Sequence, residues 1–204
     1  MKKICIIGAG GHGKVVADIA ILNGYEIMGF LDDNPNTKEV MGFPVLGKIA
    51  EAKNYIGEAE FCVSIGNTFI RKKLMTELIE QGATFPILIH PNSVIGMNVT
   101  IGAGTVVVAG AIINPEATIG EGCIINTCAS VDHDCVIHDY VHVAVGARVG
   151  GVVEVGESTW IGAGAVVRQV IRICENCTIG AGAVVVKDID KPGVYVGVPA
   201  KLVQ

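Results

Sequence analysis

Aliphatic residues recur at every sixth position throughout the second half of the chain. From Ile89 to Val185, each sixth residue is isoleucine or valine without a gap. This spacing fits neither the helix period of about 3.6 residues nor the two-residue alternation of a plain strand. A small or β-branched residue follows most of these aliphatics by four positions, as at Thr105, Ala111 and Cys123. The two regularities together predict a β-helix, whose short strands and corners wind around one apolar axis.

The first 88 residues follow a different pattern, in which short apolar runs alternate with stretches of helical periodicity. Strands are predicted at 4–7, 27–31, 61–65 and 85–88, and helices at 14–23, 48–53 and 70–81. Gly82 supplies a C-terminal stop for the last of these helices. Strands that alternate with helices indicate a small α/β domain of the Rossmann-like type.

Three regions are therefore predicted along the chain. Residues 1–88 form the Rossmann-like α/β domain, residues 89–190 form an all-β parallel β-helix of hexapeptide repeats, and residues 191–204 form a tail. Pro91 lies close to the first boundary, and the six-residue periodicity stops at Lys191. Repeat proteins need an atypical segment at each end, so the tail is predicted to fold over the last coil and cap it.

Charge and cysteine content argue against several classes of function. The formal net charge is −5 and no basic run occurs, which argues against a nucleic-acid-binding surface. No stretch approaches the roughly 20 apolar residues that cross a bilayer, so no membrane partner is expected. Seven cysteines without framework spacing indicate reduced thiols in the cytoplasm. Cys174 and Cys177 form a lone CxxC pair, which offers too few ligands for a metal and suits packing.

A glycine loop, residues 8–13, has the form G-x-G-x-x-G and lies between the first predicted strand and the first predicted helix. Asp32 and Asp33 end the next strand, which completes a dinucleotide-binding fingerprint. Backbone N–H groups at the helix start would hold a phosphate. Because the domain is too small for a second mononucleotide half, a single nucleotide or a nucleotide-linked sugar fits better than NAD. The alternative, that the glycines only shape the turn, gives no role to His12 inside the loop.

Three histidines, His133, His138 and His142, lie close together on a charge-poor part of the repeat. The repeat phase places His133 near a corner, facing outward, with Asp132 and Asp134 beside it. An imidazole oriented by a carboxylate is suited to act as a general base at neutral pH. A zinc site is disfavoured because the spacing does not put the three rings on one face of a strand, and a serine triad lacks its G-x-S-x-G context. A surface histidine without function remains the simplest alternative.

Seven segments spread over the whole chain carry a resemblance to a known family. They are Ile7-Gly8-Ala9-Gly10-Gly11-His12-Gly13, Phe30-Leu31-Asp32-Asp33, Ser64-Ile65-Gly66-Asn67, Leu88-Ile89-His90-Pro91, Val131-Asp132-His133-Asp134-Cys135, Val141-His142-Val143 and Val196-Gly197-Val198-Pro199-Ala200-Lys201. In these segments the chain resembles the hexapeptide-repeat acyltransferases of the NeuD/PglD type, which are sugar O- or N-acetyltransferases. The combination is specific to that family, whereas the glycine loop or the repeat alone is not.

The resemblance implies a left-handed β-helix and a homotrimer with active sites between its subunits. It implies acetyl-CoA as the acyl donor, no metal, and transfer of acetyl to the amine of a nucleotide-linked amino sugar in polysaccharide biosynthesis. O-acetylation of sialic acid or of another surface-polysaccharide sugar is the alternative that the same resemblance allows.

The resemblance also implies roles for individual residues. His133 would be the catalytic base and Asp134 the residue that supports it. The residues expected to bind the sugar nucleotide are Gly10, Gly11, His12, Asp32, Asp33, Gly66 and Asn67. The residues expected to contact acetyl-CoA are His142, Gly151, Ala163 and Ala181.

Two other classes of function remain open at this point. A nicotinamide-dependent oxidoreductase would use the glycine loop, but it needs a catalytic Tyr/Lys or Cys/His pair nearby, and none is evident. A non-catalytic scaffold would use the β-helix as a spacer, and it would leave the outward-facing His133 and Asp134 without a role.

Overall fold

A computed structural model of the chain describes residues 2–203. The chain divides into two compact units, with the division between Pro91 and Asn92. The sequence pattern predicts this division after residue 88. None of the helices within residues 2–203 combines the length and the apolar character needed to span a membrane.

The N-terminal unit is a five-stranded sheet with two α-helices and one 3₁₀ helix. The strands of this sheet are Lys3–Ile7 (β1), Glu26–Leu31 (β2), Glu39–Val40 (β3), Phe43–Gly47 (β4) and Glu60–Val63 (β5). The α-helices are Gly11–Leu22 (α1) and Thr68–Ile79 (α2), and the 3₁₀ helix is Ile49–Tyr55. A sixth short strand, Leu88–Ile89 (β6), does not belong to this sheet. The sheet order is β3-β4-β2-β1-β5. Strands β4, β2, β1 and β5 run parallel, and β3 pairs antiparallel with β4. The carboxyl ends of the parallel strands therefore meet at one edge, which positions the loops that follow them.

Two features of this unit differ from the sequence prediction. The β3–β4 hairpin was not predicted, because Phe43–Gly47 includes Pro44 and lacks a clear alternation of buried and exposed residues. The strand predicted at 85–88 is wrong except at its last residue, Leu88. Phe85 does not belong to a strand. Its ring packs against the ring of Phe61, with ring centroids 6.2 Å apart. Burial alone does not distinguish a strand from an irregular segment that packs against one.

The C-terminal unit is a left-handed parallel β-helix, as predicted. The strands of its coils are two or three residues long and form three flat faces. The first face contains Val94–Ile95, Ile112–Ile113, Ser130–Val131, Arg148–Val149, Val166–Val167 and Val184–Val185. The second face contains Thr100–Ile101, Thr118–Ile119, Val136–Ile137, Glu154–Val155 and Arg172–Ile173. The third face contains Val106–Val107, Ile124–Ile125, His142–Val143, Trp160–Ile161 and Cys177–Ile179.

The six-residue period accounts for the core of this unit. Each face stacks residues eighteen apart in parallel register, as with Ile112 and Ser130. The last residue of each strand points inward, so Ile125 and Val143 are fully buried. Ile95, in the first coil, is 37% exposed, so burial is incomplete at that end of the unit. Close packing of branched side chains along one axis makes the unit a rigid support for groups on its exterior.

The second regularity, the small or β-branched residue four positions after most of the aliphatics, has a hydrogen-bonding reason at several positions. The hydroxyl of Thr105 donates to the carbonyl of Gly120 at 2.8 Å. The thiols of Cys123 and Cys135 donate to carbonyls at the equivalent positions at 3.1 Å. Burial raises the pKa of the Cys135 thiol, so it stays a neutral donor. These interior positions therefore favour small side chains, and a small donor there also satisfies a buried backbone carbonyl.

The last coil is extended by the tail of the chain. The segment Gly193–Val196 pairs in parallel with Cys177–Ile179 and antiparallel with Lys201–Leu202. The tail therefore covers an edge that would otherwise present unpaired backbone groups. Cys174 and Cys177 lie beneath it as free thiols, with their Sγ atoms 3.5 Å apart.

Candidate active site

His133 stands at the corner that follows the first-face strand Ser130–Val131, and its side chain is 55% exposed. Its Nδ1 lies 2.7 Å from Oδ2 of Asp134. An ionised carboxylate can only accept a hydrogen bond, so the ring donates Nδ1–H and keeps its lone pair on Nε2. The hydrogen bond to Asp134 is the main cause that raises the pKa of His133 above its ordinary value. The pair therefore has the form of a general base whose basicity a neighbouring carboxylate increases.

Gly151 lies directly against the imidazole of His133. A methyl group added at position 151 would lie 2.6 Å from Nε2 of His133, which is closer than real contacts allow. The backbone N–H of Val152 donates to the carbonyl of His133 at 2.9 Å and holds the two coils in register. A side chain at position 151 would therefore displace the ring or cover Nε2, and glycine leaves room for both.

A second carboxylate fixes the backbone of the same corner. Oδ1 of Asp132 accepts from Nδ2 of Asn114 at 2.7 Å and from the backbone N–H of His133 at 2.8 Å. The hydrogen bond from Asn114 is the largest cause that lowers the pKa of Asp132, followed by the bond from His133. Asp132 is therefore ionised at neutral pH and holds the main chain, while Asp134 holds the ring.

His138 has a different environment, and the three histidines do not converge. Nε2 of His138 lies 3.1 Å from Oε1 of Glu154, whose Oε2 accepts from Nε of Arg172 at 2.8 Å. The hydrogen bond with His138 is the main cause that lowers the pKa of Glu154. Nowhere in residues 2–203 do three or more His, Cys, Asp or Glu side chains come together as a possible metal site. His138 therefore belongs to a surface ion network on the second face.

His142 occupies an outward strand position on the third face, yet it is only 6% exposed. Its ring stacks on Trp160, with centroids 4.6 Å apart and an interplanar angle of 30°. Its Nε2 lies 3.1 Å from Nδ2 of Asn126, and since an amide nitrogen only donates, Nε2 is the acceptor. The tautomer and the orientation of this ring are therefore fixed by its neighbours.

Ala163 and Ala181 lie at the corner that follows the third face, one coil apart. Both are exposed, and the N–H of Gly182 donates to the carbonyl of Ala163 at 2.9 Å. The space around Gly182 is open, so this corner is lined by backbone rather than by side chains. The four residues expected to contact acetyl-CoA thus divide into two groups. Gly151 lies beside His133, whereas the other three lie on the third face and its corner.

The residues expected to bind the sugar nucleotide lie at the carboxyl edge of the N-terminal sheet. Gly10 precedes helix α1, and Oδ2 of Asp32 accepts from the N–H of Ala9 at 2.7 Å. Asp32 Oδ1 also accepts from Asn34 N–H at 2.8 Å, and Asp33 Oδ1 accepts from a backbone N–H at 3.1 Å. The two carboxylates therefore order the loops that follow β1 and β2. Gly11, the first residue of α1, is exposed, with open space around it.

Gly13, the last glycine of this loop, lies too close to the neighbouring backbone to carry a side chain. A methyl group at Gly13 would clash with the carbonyl oxygen of Gly8, because helix α1 starts directly beside the end of β1. The hydroxyl of Ser64 lies 2.7 Å from the same carbonyl and ties the loop after β5 to the glycine loop. The glycine loop, the Asp32 loop and the loop after β5 are thus held together in one unit.

His12 lies inside this arrangement and is largely buried. Burial, with a smaller effect from the charge of Arg71, lowers the pKa of His12 from 6.5 to about 4. The imidazole is therefore neutral at pH 7, and its Nε2 has no hydrogen-bond partner among the described residues. Asn67 is the N-cap of helix α2, and its side chain accepts from the N–H of Ile70 at 3.0 Å.

Arg71 is a residue of this site that the sequence pattern did not indicate. It is 1% exposed, and its Nη1 donates to the carbonyls of Ile65 at 2.8 Å and Gly66 at 3.0 Å. An arginine in a helix usually lies on the solvent face, so a sequence pattern does not single it out. The available signal is its spacing, since Arg71, Met75 and Leu78 form the buried stripe of α2.

Comparison with known protein families identifies both units. The PglD N-terminal domain family matches residues 3–78, and the bacterial transferase hexapeptide family matches residues 153–187. The chain is 37% identical over 114 residues to UDP-N-acetylbacillosamine N-acetyltransferase of Bacillus subtilis, a match that covers 53% of the chain and 52% of that relative. The chain thus spans about half the length of this relative. It is 33% identical over 165 residues to GDP-perosamine N-acetyltransferase of Escherichia coli O157:H7, which covers 76% of the chain and 73% of the relative.

Solved structures match the whole chain. The acetyltransferase domain of PglB from Neisseria gonorrhoeae, in complex with acetyl coenzyme A, has a TM-score of 0.94 at 40% identity and covers 99% of both chains. PerB from Caulobacter crescentus, in complex with CoA and GDP-perosamine, has a TM-score of 0.94 at 34% identity and covers 100% of this chain and 98% of that chain. The chain therefore belongs to the family of hexapeptide-repeat nucleotide-sugar N-acetyltransferases with a PglD-type N-terminal domain.

Proposed function

We propose that this protein transfers the acetyl group of acetyl-CoA to the amine of a nucleotide-linked amino sugar. The observation that carries the proposal is the exposed His133–Asp134 pair, whose geometry leaves the Nε2 lone pair available for a proton. The curated relatives are named as N-acetyltransferases, which favours an amine over a sialic-acid hydroxyl as the acceptor. Family membership favours acyl transfer over the hydride transfer that a glycine loop alone would allow.

The reaction needs no acyl-enzyme. The amine nitrogen attacks the thioester carbonyl carbon, and Nε2 of His133 accepts a proton from the nitrogen as the C–N bond forms. The C–S bond then breaks, the proton passes to the departing thiolate, and the products are the amide and CoA. Asp134 stabilises the imidazolium that forms, and a backbone N–H near the corner stabilises the oxyanion. The seven thiols of the chain take no part.

In this proposal the two units have separate tasks. The N-terminal unit binds the nucleotide part of the substrate through Gly10, Gly11, His12 and the two aspartates of the Asp32 loop. Gly66 and Asn67 complete this site at the start of α2. Support comes from the order that hydrogen bonds give these loops, and from N–H groups at helix starts, which favour phosphate. The β-helix carries the acetyl donor and the base.

We further propose that the enzyme is a homotrimer whose active sites lie between protomers. His133 and Gly151 lie at the corner after the first face, whereas His142 belongs to the third face. A single β-helix offers flat faces, and a pocket needs a concave surface. Contact between the first-face corner of one protomer and the third-face corner of the next supplies such a groove. It also unites the two groups of residues expected to contact acetyl-CoA.

The substrate is identified by a thiol-release assay. Acetyl-CoA is offered with UDP-, GDP- and dTDP-linked amino sugars and with CMP-sialic acid, and each product is analysed by mass spectrometry. We expect CoA release that depends on one amino sugar nucleotide and a product heavier by one acetyl group on nitrogen. Acetylation of a sugar hydroxyl, or no acceptor-dependent release with any of these sugars, would contradict the proposal.

Shared active sites are tested by mixing two inactive variants. His133→Ala and His142→Ala chains are combined under conditions that exchange subunits. If each site takes His133 from one protomer and His142 from the next, every mixed trimer has one intact site of three, which is about a quarter of all sites after random exchange of equal amounts. Recovery of activity on mixing is therefore expected. The absence of recovery, with subunit exchange demonstrated, would place both histidines in the same protomer's site.

A cytoplasmic location completes the proposal. All seven cysteines are free thiols in the structure, which suits a reducing compartment. The enzyme would act there on sugar nucleotides used in the biosynthesis of surface polysaccharides.

A further inference from the structure

Arg71 is buried behind the loop that joins β5 to α2, where the proposed chemistry gives it no part. It is among the largest fully buried side chains of the chain. Its Nη1 donates to two successive main-chain carbonyls, those of Ile65 and Gly66. A guanidinium is costly to bury and always charged, so a position of this kind needs a physical reason.

The two hydrogen bonds fix the orientation of two peptide planes. In a planar trans peptide the C=O and the N–H point to opposite sides. Since the carbonyls of Ile65 and Gly66 point toward Arg71, the N–H groups of Gly66 and Asn67 point away from it. Neither N–H finds an acceptor among residues 2–203. Gly66 is half-buried and Asn67 is exposed, so these N–H groups are directed toward the outer side of the loop.

Arg71 also acts on the other half of the candidate nucleotide site. Its charge contributes, after burial, to the lowered pKa of His12 and so to the neutral state of that imidazole. It is the charged group that acts electrostatically on His12. The hydroxyl of Ser64, at the start of the same loop, hydrogen-bonds the carbonyl of Gly8 in the glycine loop. One buried residue thus influences both loops.

We propose that Arg71 is a positioning residue for nucleotide binding: it turns the N–H groups of Gly66 and Asn67 outward and holds the loop in the form that receives the substrate's diphosphate. This inference rests on the proposed function, because it takes the loop after β5 as part of the nucleotide site. Arg71 does not touch the substrate. It acts through the backbone of the loop and through the charge state of His12.

The test compares Arg71→Met, which removes the charge at similar volume, with Arg71→Lys, which keeps the charge but not the planar fork. Lys73→Met is the matched control, because Lys73 lies on the same helix with its side chain 74% exposed. The measurements are calorimetric dissociation constants for UDP and GDP, the KM values of the sugar nucleotide and acetyl-CoA, and an NMR titration of His12.

We expect Arg71→Met to weaken binding of the preferred nucleotide about tenfold or more, while the acetyl-CoA KM stays within about twofold. The pKa of His12 should rise from about 4 toward 6.5 without reaching it, because burial remains. In Arg71→Lys the pKa of His12 should stay low while nucleotide binding weakens. Lys73→Met should change none of these values.

A folded Arg71→Met protein with unchanged nucleotide affinity and unchanged His12 pKa would overturn the inference. Equal losses for nucleotide and acetyl-CoA would do the same, since they would indicate a general structural role. If Arg71→Met does not fold, unchanged nucleotide affinity in Arg71→Lys would overturn it. A different result would contradict the proposed function itself: wild-type protein that binds a nucleotide but releases no thiol from acetyl-CoA.

Discussion

Two histidines of this chain, His133 on the β-helix and His12 in the glycine loop, have opposite surroundings. His133 is exposed, and the hydrogen bond to Asp134 raises its pKa. His12 is largely buried, and burial together with the charge of Arg71 lowers its pKa to about 4. A raised pKa suits a group that must take a proton, whereas a lowered pKa keeps an imidazole neutral beside a ligand. The surroundings, rather than the residue type, therefore support the proposed base on the β-helix and the proposed binding role of the N-terminal unit.

The largest effect is expected for His133→Ala. Loss of a general base typically reduces the rate by ~10²–10⁴-fold, and removal of an exposed side chain should leave the fold intact. The measurement is kcat from thiol release, with circular dichroism and thermal melting to verify folding. His138→Ala is the matched control, since His138 is also exposed and also bonded to a carboxylate, Glu154.

Retention of most of the rate in His133→Ala, or an equal loss in His138→Ala, would remove His133 from the base role. The contrast between the two variants is the informative quantity, because any effect of deleting a surface imidazole as such is common to both.

The sequence predicted the β-helix well because its core follows a strict local rule. Residues six apart point inward, and those at Ile125 and Val143 are fully buried. The eighteen-residue stacking could also have paired His142 with Trp160 in advance, since they are register partners on adjacent coils. The corner at His133 was found for the same reason, as position in the repeat determines direction.

The N-terminal unit was predicted less completely because its packing is not local. Strand β4 pairs with β2 and with β3, and no periodic pattern in the sequence predicts this pairing. The burial of Arg71 depends on carbonyls of a loop that precedes its helix, and an arginine gives no sign of such burial. The loops proposed to bind the nucleotide were recognised by their motif, while the buried arginine beside them was not.

Asp134→Asn should give the second-largest effect and should sharpen the contrast between the histidines. The asparagine removes the carboxylate that raises the pKa of His133, so the pKa should fall toward its ordinary value. The base must be neutral to accept a proton, so the acidic limb of the pH profile of kcat/KM should move to lower pH. The rate on the plateau should fall by about 10- to 100-fold, because a weaker base accepts the proton less readily and the imidazolium loses its partner.

The ionisation of the substrate amine affects the wild type and the Asp134→Asn variant equally. The difference between their pH profiles therefore reports the ionisation of a group of the enzyme. An acidic limb that stays in place would show that His133 does not govern it, and a limb that moves to higher pH would contradict the assigned hydrogen bond.

Asp32→Ala tests the binding side of the comparison and should have a smaller effect. The variant loses the acceptor of the N–H groups of Ala9 and Asn34, so the glycine loop loses its support. We expect the sugar-nucleotide KM to rise about tenfold and the acetyl-CoA KM to change by less than about twofold. Asp139→Ala is the control, because its carboxylate also accepts a backbone N–H, that of Glu121, but lies on the β-helix. Equal changes of both KM values in Asp32→Ala would refute the assignment of the sugar nucleotide to the N-terminal unit.

The smallest effect is expected at Trp160, which supports the third histidine, His142. Trp160→Leu removes the stacked ring, and His142 then loses one of the contacts that orient it, while the hydrogen bond with Asn126 remains. An aromatic pair of this kind contributes about 0.5–1.5 kcal/mol, so the acetyl-CoA KM should rise by about two- to tenfold while the sugar-nucleotide KM stays unchanged. Trp160→Phe keeps a stacking ring and should recover most of the affinity. Since Trp160 is the one tryptophan of the chain, quenching of its fluorescence by acetyl-CoA measures binding directly in the wild type. Wild-type fluorescence that responds to the sugar nucleotide but not to acetyl-CoA would reverse the assignment, because the third face would then receive the acceptor rather than the donor.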